Sequence, residues 1–143
     1  MSHATFALLL TLSSVPPQEP VRIPSTPGQA APRRAEPGEQ QTEGLLQRVE
    51  CPRGRPVTFV VKTSDSVAKF QAPKLDAVEY SARTGDFKGP MTCGGRAAGD
   101  PVIVTWRPEK DADGKTDGKE ARPAAQRAIA IEFLPKPEPR PAP

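Results

Sequence analysis

Short runs of alternating hydrophobic and polar residues, separated by turn residues, occupy residues 44–135 of the chain. The clearest run is PVTFVVKT, 56–63, in which Val57, Phe59 and Val61 share one face. Period-two runs bounded by Gly and Pro predict β-strands, because successive side chains of a strand point to opposite faces. The predicted strands are 44–51, 56–63, 67–72, 76–82, 90–93, 101–107 and 127–134.

Six or seven strands with no helical periodicity between them predict an all-β fold. Their spacing is typical of a small antiparallel barrel or sandwich. The runs 57–61 and 101–106 are apolar on both faces, which indicates central strands. Five aromatic residues fall in register with aliphatic neighbours and are therefore predicted to belong to the core. They are Phe59, Phe70, Tyr80, Trp106 and Phe133.

Proline marks the two ends of the chain. Of the 19 prolines among 143 residues, 7 lie in residues 1–43 and 5 in residues 135–143. Proline-rich, weakly apolar ends predict disordered segments around one folded middle. We therefore divide the chain into a signal-peptide-like segment, a Pro-rich linker, a β-domain and a Pro-rich tail. Their bounds are 1–20, 21–43, 44–135 and 136–143.

The run FALLLTLSSV, residues 6–15, has the length of the apolar region of a secretory signal peptide and is too short to span a bilayer. No Lys or Arg precedes it, and no A-x-A cleavage site follows it. The run predicts an extracytoplasmic protein, periplasmic or secreted, with no stable membrane span. The alternative is an apolar segment that packs on the domain.

Charge and histidine content argue against several classes of function. The net charge is 20 − 17 = +3, with the two signs interspersed along the chain. Nucleic-acid binding relies on clustered Lys and Arg, so we expect no nucleic-acid partner. The single histidine, His3, lies in the signal-like segment, which argues against histidine metal sites and histidine acid–base catalysis. We predict no catalytic residue, no cofactor and no metal, and a monomer.

Cys51 and Cys93 are the two cysteines of the chain. In an exported protein an even cysteine count predicts a disulfide, here one that closes a long loop. Three alternatives stay open. The thiols could be free and buried, or they could bind a metal with carboxylates in place of histidines. Cys93 could also act as a redox thiol, since the nearby cation Arg96 would favour its thiolate. No C-x-x-C motif supports the last alternative.

Other motifs have ordinary structural interpretations. Gly94, Gly95 and Gly99 predict a tight turn after Cys93, because glycine tolerates positive φ. Residues 108–126 form a charged loop containing DADGKTDG, whose lysine and threonine at ligand and glycine positions argue against an EF-hand. No nucleophile with an activating base is visible.

The segments GLLQRVEC, FVV, TCGG, VIVTWRP and IAIEFLP resemble a small β-domain of secreted bacterial proteins that often follows tetratricopeptide repeats. The resemblance covers about residues 44–135. It implies a bacterial export context and a β-domain, and it carries no activity or site. We therefore expect a non-enzymatic exported β-domain with a structural or protein-interaction role. The alternatives are an OB-like module that binds oligonucleotides or oligosaccharides and a thiol-redox protein using Cys93.

Overall fold

The computed structural model of the chain describes residues 18–23, 32–83, 90–109 and 125–137. Six strands occupy these ranges, together with a short 3-10 turn at Leu75–Ala77. The predictions for most of the signal-like segment, for His3 and for most of the loop 108–126 lie outside the described residues. The strands are β1 Gln40–Glu50, β2 Val57–Lys62, β3 Val67–Ala72, β4 Glu79–Ala82, β5 Gly94–Pro108 and β6 Gln126–Phe133.

All six strands belong to one mixed sheet with the order β3-β2-β1-β5-β6-β4. The pairs β1–β2, β2–β3, β1–β5 and β5–β6 are antiparallel. β6 runs parallel to β4 and makes a further parallel pairing with β3 at Gln71↔Arg127. The prediction of an all-β fold is therefore confirmed, whereas the prediction of a purely antiparallel sheet was wrong. β3 and β6 are each two antiparallel steps away from β1, on its opposite sides, so both run in the direction of β1. Their pairing is therefore parallel.

β5 is much longer than the predicted strand 101–107, because β1 also pairs with Gly94, Gly95 and Asp100. The tight turn predicted at Gly94 and Gly95 is therefore replaced by the start of β5. The register between β1 and β5 shifts between Leu46 and Arg48, and the chain bulges at residues 96–99. Gly99 has φ +69° in this bulge. The predicted strand 90–93 is reduced to one bridge, between Met91 and Val21.

The core lies on one face of the sheet, formed by the strand residues that the alternating pattern predicted to share a face, such as Val57, Phe59 and Val61. Phe59, Phe70 and Phe133 are fully buried, and Tyr80 is buried with them. Trp106 is half-buried against this core, and its ring centroid lies 5.9 Å from that of Phe70. Its indole Nε1 donates a hydrogen bond of 2.9 Å to Thr42 Oγ1. The prediction of core residues is confirmed for the three phenylalanines and Tyr80, whereas Trp106 is partly buried and packs against the core.

Glu39 forms ion pairs that link the segment before β1 to the end of β5. Its side chain is 2% exposed and pairs with Arg33 at 3.0 Å and with Arg107 at 3.2 Å. Its carboxylate also accepts a hydrogen bond of 3.0 Å from the backbone N–H of Glu36. That hydrogen bond, followed by the attraction of the two arginines, lowers the pKa of Glu39 despite its burial. The carboxylate is therefore charged at neutral pH and holds residues 33–39 onto the sheet.

Gly44 of β1 lies close to the C-terminal end of β2. A Cβ at this position would stand 2.5 Å from the carbonyl oxygen of Lys62 and 2.7 Å from Val61 Cγ1. The backbone oxygen cannot rotate away, so the two strands would have to separate. We expect Gly44→Ala to lower the free energy of unfolding by about 1–3 kcal/mol, as overpacking does. Urea unfolding followed by Trp106 fluorescence measures this loss.

Gly95→Ala is the matched control for this prediction. Gly95 lies in β5, and a Cβ there would meet no heavy atom within 4 Å. The same substitution therefore adds a methyl group in a strand without a collision. Equal losses of stability in the two variants would contradict the close approach of β1 and β2 at Gly44.

Candidate functional site

A disulfide joins Cys51 to Cys93, with the two Cα atoms 5.9 Å apart. Cys51 directly follows β1 and Cys93 directly precedes β5, and Val49 of β1 pairs with Gly94 of β5. The bond thus links the adjoining ends of two neighbouring strands. The predicted disulfide is confirmed, and the alternatives of free buried thiols and of thiolate metal ligands are wrong for these oxidised cysteines.

The redox hypothesis drew on Arg96 as a cation near Cys93. Arg96 Nη1 donates to Asp100 Oδ2 at 3.0 Å, and Arg96 Nη2 lies 3.2 Å from the sulfur of Met91. Both ends of this ion pair are largely buried, with exposed side-chain fractions of 16% and 14%. The charge of Arg96 is therefore balanced by Asp100. Arg96 therefore offers little stabilisation to a thiolate at Cys93.

A cleft of about 760 Å³ opens beside the disulfide, and we call it the disulfide cleft. Its walls come from the β1–β2 loop, residues 51–56, and from the chain that follows β3. Arg53, Arg55 and Lys74 line it, and no carboxylate is found among its described lining residues. Within the described ranges none of these three cations forms an ion pair. The cleft is therefore electropositive.

The sequence CPRGRP explains how the β1–β2 loop presents its two arginines. Proline stands at residues 52 and 56, and Gly54 adopts φ +69°. The backbone N–H of Arg55 donates to the carbonyl of Pro52 at 3.4 Å, which closes a turn. Both arginine side chains are exposed. Restricted backbone on each side and a covalent bond at Cys51 hold this loop in place.

Further positive charge lies on the outer face of β2 and β3, which carries the exposed residues Lys62 and Lys69. Directly opposite residues of an antiparallel pair share a face. The pairs on the face opposite the core are Thr58↔Gln71, Val60↔Lys69 and Lys62↔Val67; of these residues Val60 is itself buried, whereas the two lysines are exposed.

Phe59 and Phe70, which alternate with these residues, face the core. Arg127 of β6 is exposed and pairs with Gln71, so it lies beside the same face. This set of cations is not apparent in the sequence, because its members are scattered between residues 53 and 127. The available signals were the arginines of CPRGRP and the lysines on the polar sides of β2 and β3.

A second groove, of about 520 Å³, lies at the other end of β1 and β2. Leu45, which is 39% exposed, Pro101 and Leu134 give it an apolar lining, together with Pro135 and Pro137. Glu43 and Lys62 are its charged lining residues.

Two buried polar side chains, Glu132 and Tyr80, form hydrogen bonds with other residues of the fold. Glu132 of β6 forms an ion pair with Arg83 through both oxygens, which raises the pKa of Arg83. Tyr80 donates its hydroxyl to the carbonyl of Leu75 at 2.7 Å, and burial followed by the charge of Asp76 raises the pKa of its phenol. Both groups stabilise the packing around β4, and neither lines the disulfide cleft.

The part of the chain that the structure describes contains no cluster of three or more His, Cys, Asp or Glu arranged to hold a metal ion. The same residues include no helix of the length and apolarity required to cross a membrane. Comparisons with protein-family models, with curated proteins and with solved structures find no match for this chain.

Proposed function

We propose that the protein is an extracytoplasmic, non-enzymatic binding domain with an OB-like barrel. The observation that carries this proposal is the parallel pairing of β3 with β6 at Gln71↔Arg127. It brings together the two ends of the strand order β3-β2-β1-β5-β6, in which every other pairing is antiparallel. A five-stranded Greek-key barrel with partly open edges is the OB-fold arrangement. β4 would be an addition beside β6.

The register of β1 supports the same interpretation. This strand pairs with β2 through residues 45–50 and with β5 through residues 40–49. It therefore contributes to both halves of the sheet, and its register shift between Leu46 and Arg48 lies where the two sets of pairings overlap. Bulges of this kind bend a strand and increase its twist, as closure of a small barrel requires.

OB-fold domains bind oligosaccharides and oligonucleotides on the face of strands 2 and 3 and with the loops between strands 1–2 and 4–5. The corresponding parts of this chain are the outer face of β2 and β3, the loop 51–56 and the connection between β5 and β6. The disulfide cleft and the exposed cations lie at the first two of these parts. A ligand-binding role at this face agrees with the expected non-enzymatic interaction role.

The disulfide supports the extracytoplasmic part of the proposal, since such bonds persist in oxidising compartments. The apolar run at residues 6–15 points in the same direction. The residues described around the disulfide cleft include no nucleophile–base pair. A domain of this kind would recognise its ligand and leave it chemically unchanged.

An NMR titration tests the proposal. The oxidised full-length chain, labelled with 15N, is titrated with a panel of acidic oligosaccharides, neutral oligosaccharides and single-stranded oligonucleotides. We expect at least one member to shift amide signals of β2, β3 and the loop 51–56, and we expect it to be recovered intact. Binding confined to another surface, no binding by any member, or cleavage of the ligand would each overturn the proposal. Absence of a backbone contact between Gln71 and Arg127 in the NMR data would contradict the proposed closure of the sheet into a barrel.

A further inference from the structure

Six cations lie on the outer face of β2 and β3 and around the disulfide cleft, and we call this set the basic strip. Its members are Arg53, Arg55, Lys62, Lys69, Lys74 and Arg127, and all of them are exposed. None of the six takes part in an ion pair within the described ranges. Several other cations are neutralised instead, at distances from 2.8 Å for Arg48–Glu50 to 3.7 Å for Arg33–Glu79. The positive charge of the strip is therefore available to a ligand.

The spacing along the strip suits an extended chain better than a compact ion. Lys62 and Lys69 are diagonal neighbours on the outer face of β2 and β3, and such neighbours are about 7–8 Å apart. Arg127 stands beside Gln71, one step further along the same face. Beyond this point Lys74 and the loop arginines line the disulfide cleft. A ligand that met every cation would run across the face and end in the cleft.

The neighbouring acidic groups leave this charge largely intact. Glu50 lies next to Thr58, but it pairs with Arg48 at 2.8 Å. Glu43 lines the second groove together with Lys62 and so lies near that end of the strip. Asp65 lies in the β2–β3 turn, and Glu19 and Asp76 are within two residues of Gln18 and Lys74, which line the cleft. None of these carboxylates lines the disulfide cleft.

Between the cations the strip offers hydrogen-bonding groups rather than aromatic rings. Thr58 and Gln71 lie side by side on the face. The five aromatic residues of the described strands belong to the core or pack against it. Proteins that bind single-stranded nucleic acids stack the bases on exposed aromatic rings, which this face lacks among its described residues. Hydroxyl and amide groups suit the hydroxyl groups of sugars.

We infer that the basic strip binds an acidic polysaccharide, a sugar chain bearing carboxylate or sulfate groups. This inference rests on the proposed function, because it names the ligand class of the same β2–β3 face. The cations would pair with the acidic groups while Thr58 and Gln71 donate to and accept from sugar hydroxyls. Arg53 and Arg55 suit carboxylate or sulfate at the end of the chain, since a guanidinium can bind such groups through two parallel hydrogen bonds.

Fluorescence anisotropy with labelled heparin and labelled polygalacturonate tests the inference, with labelled dextran as the neutral probe. The oxidised full-length protein should bind at least one acidic probe with an affinity that falls as salt is added, and it should bind dextran at least about tenfold more weakly. Arg55→Glu and Lys69→Glu should each weaken acidic binding about tenfold and reduce its salt dependence.

Arg34→Glu is the matched control, because Arg34 is also exposed but precedes β1 in the segment held by Glu39. It makes the same change of net charge and should leave the affinity within about twofold of the parent. Thermal unfolding should show that all three variants keep the parent stability, since all three side chains are exposed.

The outcomes separate the ligand class from the proposed function. Equal binding of dextran, or no effect of Arg55→Glu and Lys69→Glu on a ligand that still maps to β2 and β3, would overturn the acidic class alone. Tighter binding of a single-stranded oligonucleotide than of either acidic probe at the same salt concentration would also overturn it. Failure of every ligand to contact the β2–β3 face would overturn both.

Discussion

Replacing both cysteines, Cys51→Ser with Cys93→Ser, is expected to lower the free energy of unfolding by about 4 kcal/mol. The disulfide closes a loop between residues 42 positions apart in sequence, so it restricts the unfolded chain strongly. In the folded protein it joins the end of β1 to the start of β5, where the two strands already pair. Urea unfolding of the double variant and of the oxidised parent measures the difference.

The reduced parent protein is the control that isolates the covalent bond. Cys51 is half-buried and Cys93 is exposed, so serine should cost little at either position once the bond is absent. Reduced parent and double variant should therefore unfold at similar urea concentrations, well below the oxidised parent. Thiol titration of the purified, unreduced protein should find no free thiol. Two reactive thiols, or a difference in stability under about 1 kcal/mol, would contradict the structural role and favour the redox hypothesis at Cys93.

A loss of about 4 kcal/mol would make the stability of the fold depend on an oxidising compartment, where the disulfide persists. Small domains have a total stability of about 5–15 kcal/mol, so the disulfide would supply a large share of it. The loop 51–56 begins at Cys51 and carries two cations of the basic strip. Reduction should therefore loosen the proposed binding face as well as the fold. Both effects favour function in an oxidising environment, as the export prediction requires.

The local part of the fold was readable from the sequence, because it depends on alternation within single strands. β2 and β3 were predicted within one residue at each end, since their inward residues alternate with polar ones and turn residues bound them. β6 was found for the same reason. β1 begins at Gln40 rather than Gly44, because Gln40 and Gln41 pair with β5 although neither is apolar.

The non-local part could not be read from one sequence. The parallel pairings of β6 depend on which strands the chain has already placed, and no residue type marks them. Gly94 and Gly95 carry the composition of a turn, yet pairing with β1 draws them into β5. The basic strip was missed for a related reason, since the sheet gathers cations that the sequence scatters. The disulfide was predictable because only two cysteines exist to pair.

The second large effect is expected at the ion pair that holds β4 to β6. Arg83 follows β4 directly and binds the carboxylate of Glu132, whose side chain is 6% exposed against 29% for Arg83. Arg83→Met should lower the free energy of unfolding by about 3 kcal/mol, because it leaves a buried carboxylate without its partner. Glu132→Gln should cost less, about 1–2 kcal/mol, because Arg83 can still reach water and an amide keeps part of the hydrogen bonding.

Two comparison variants make this asymmetry decisive in urea unfolding. Arg48→Met breaks an exposed pair of similar chemistry, in which both side chains are at least 40% exposed, and it should cost under about 1 kcal/mol. The double variant Arg83→Met with Glu132→Leu removes both charges and should recover much of the loss, as apolar replacements of buried ion pairs often do. If Arg83→Met cost no more than Arg48→Met, Glu132 would have to be hydrated in the folded protein. The edge strand β4 would then be held by its backbone pairing with β6 and by the burial of Tyr80 and Ala82, with little contribution from the ion pair.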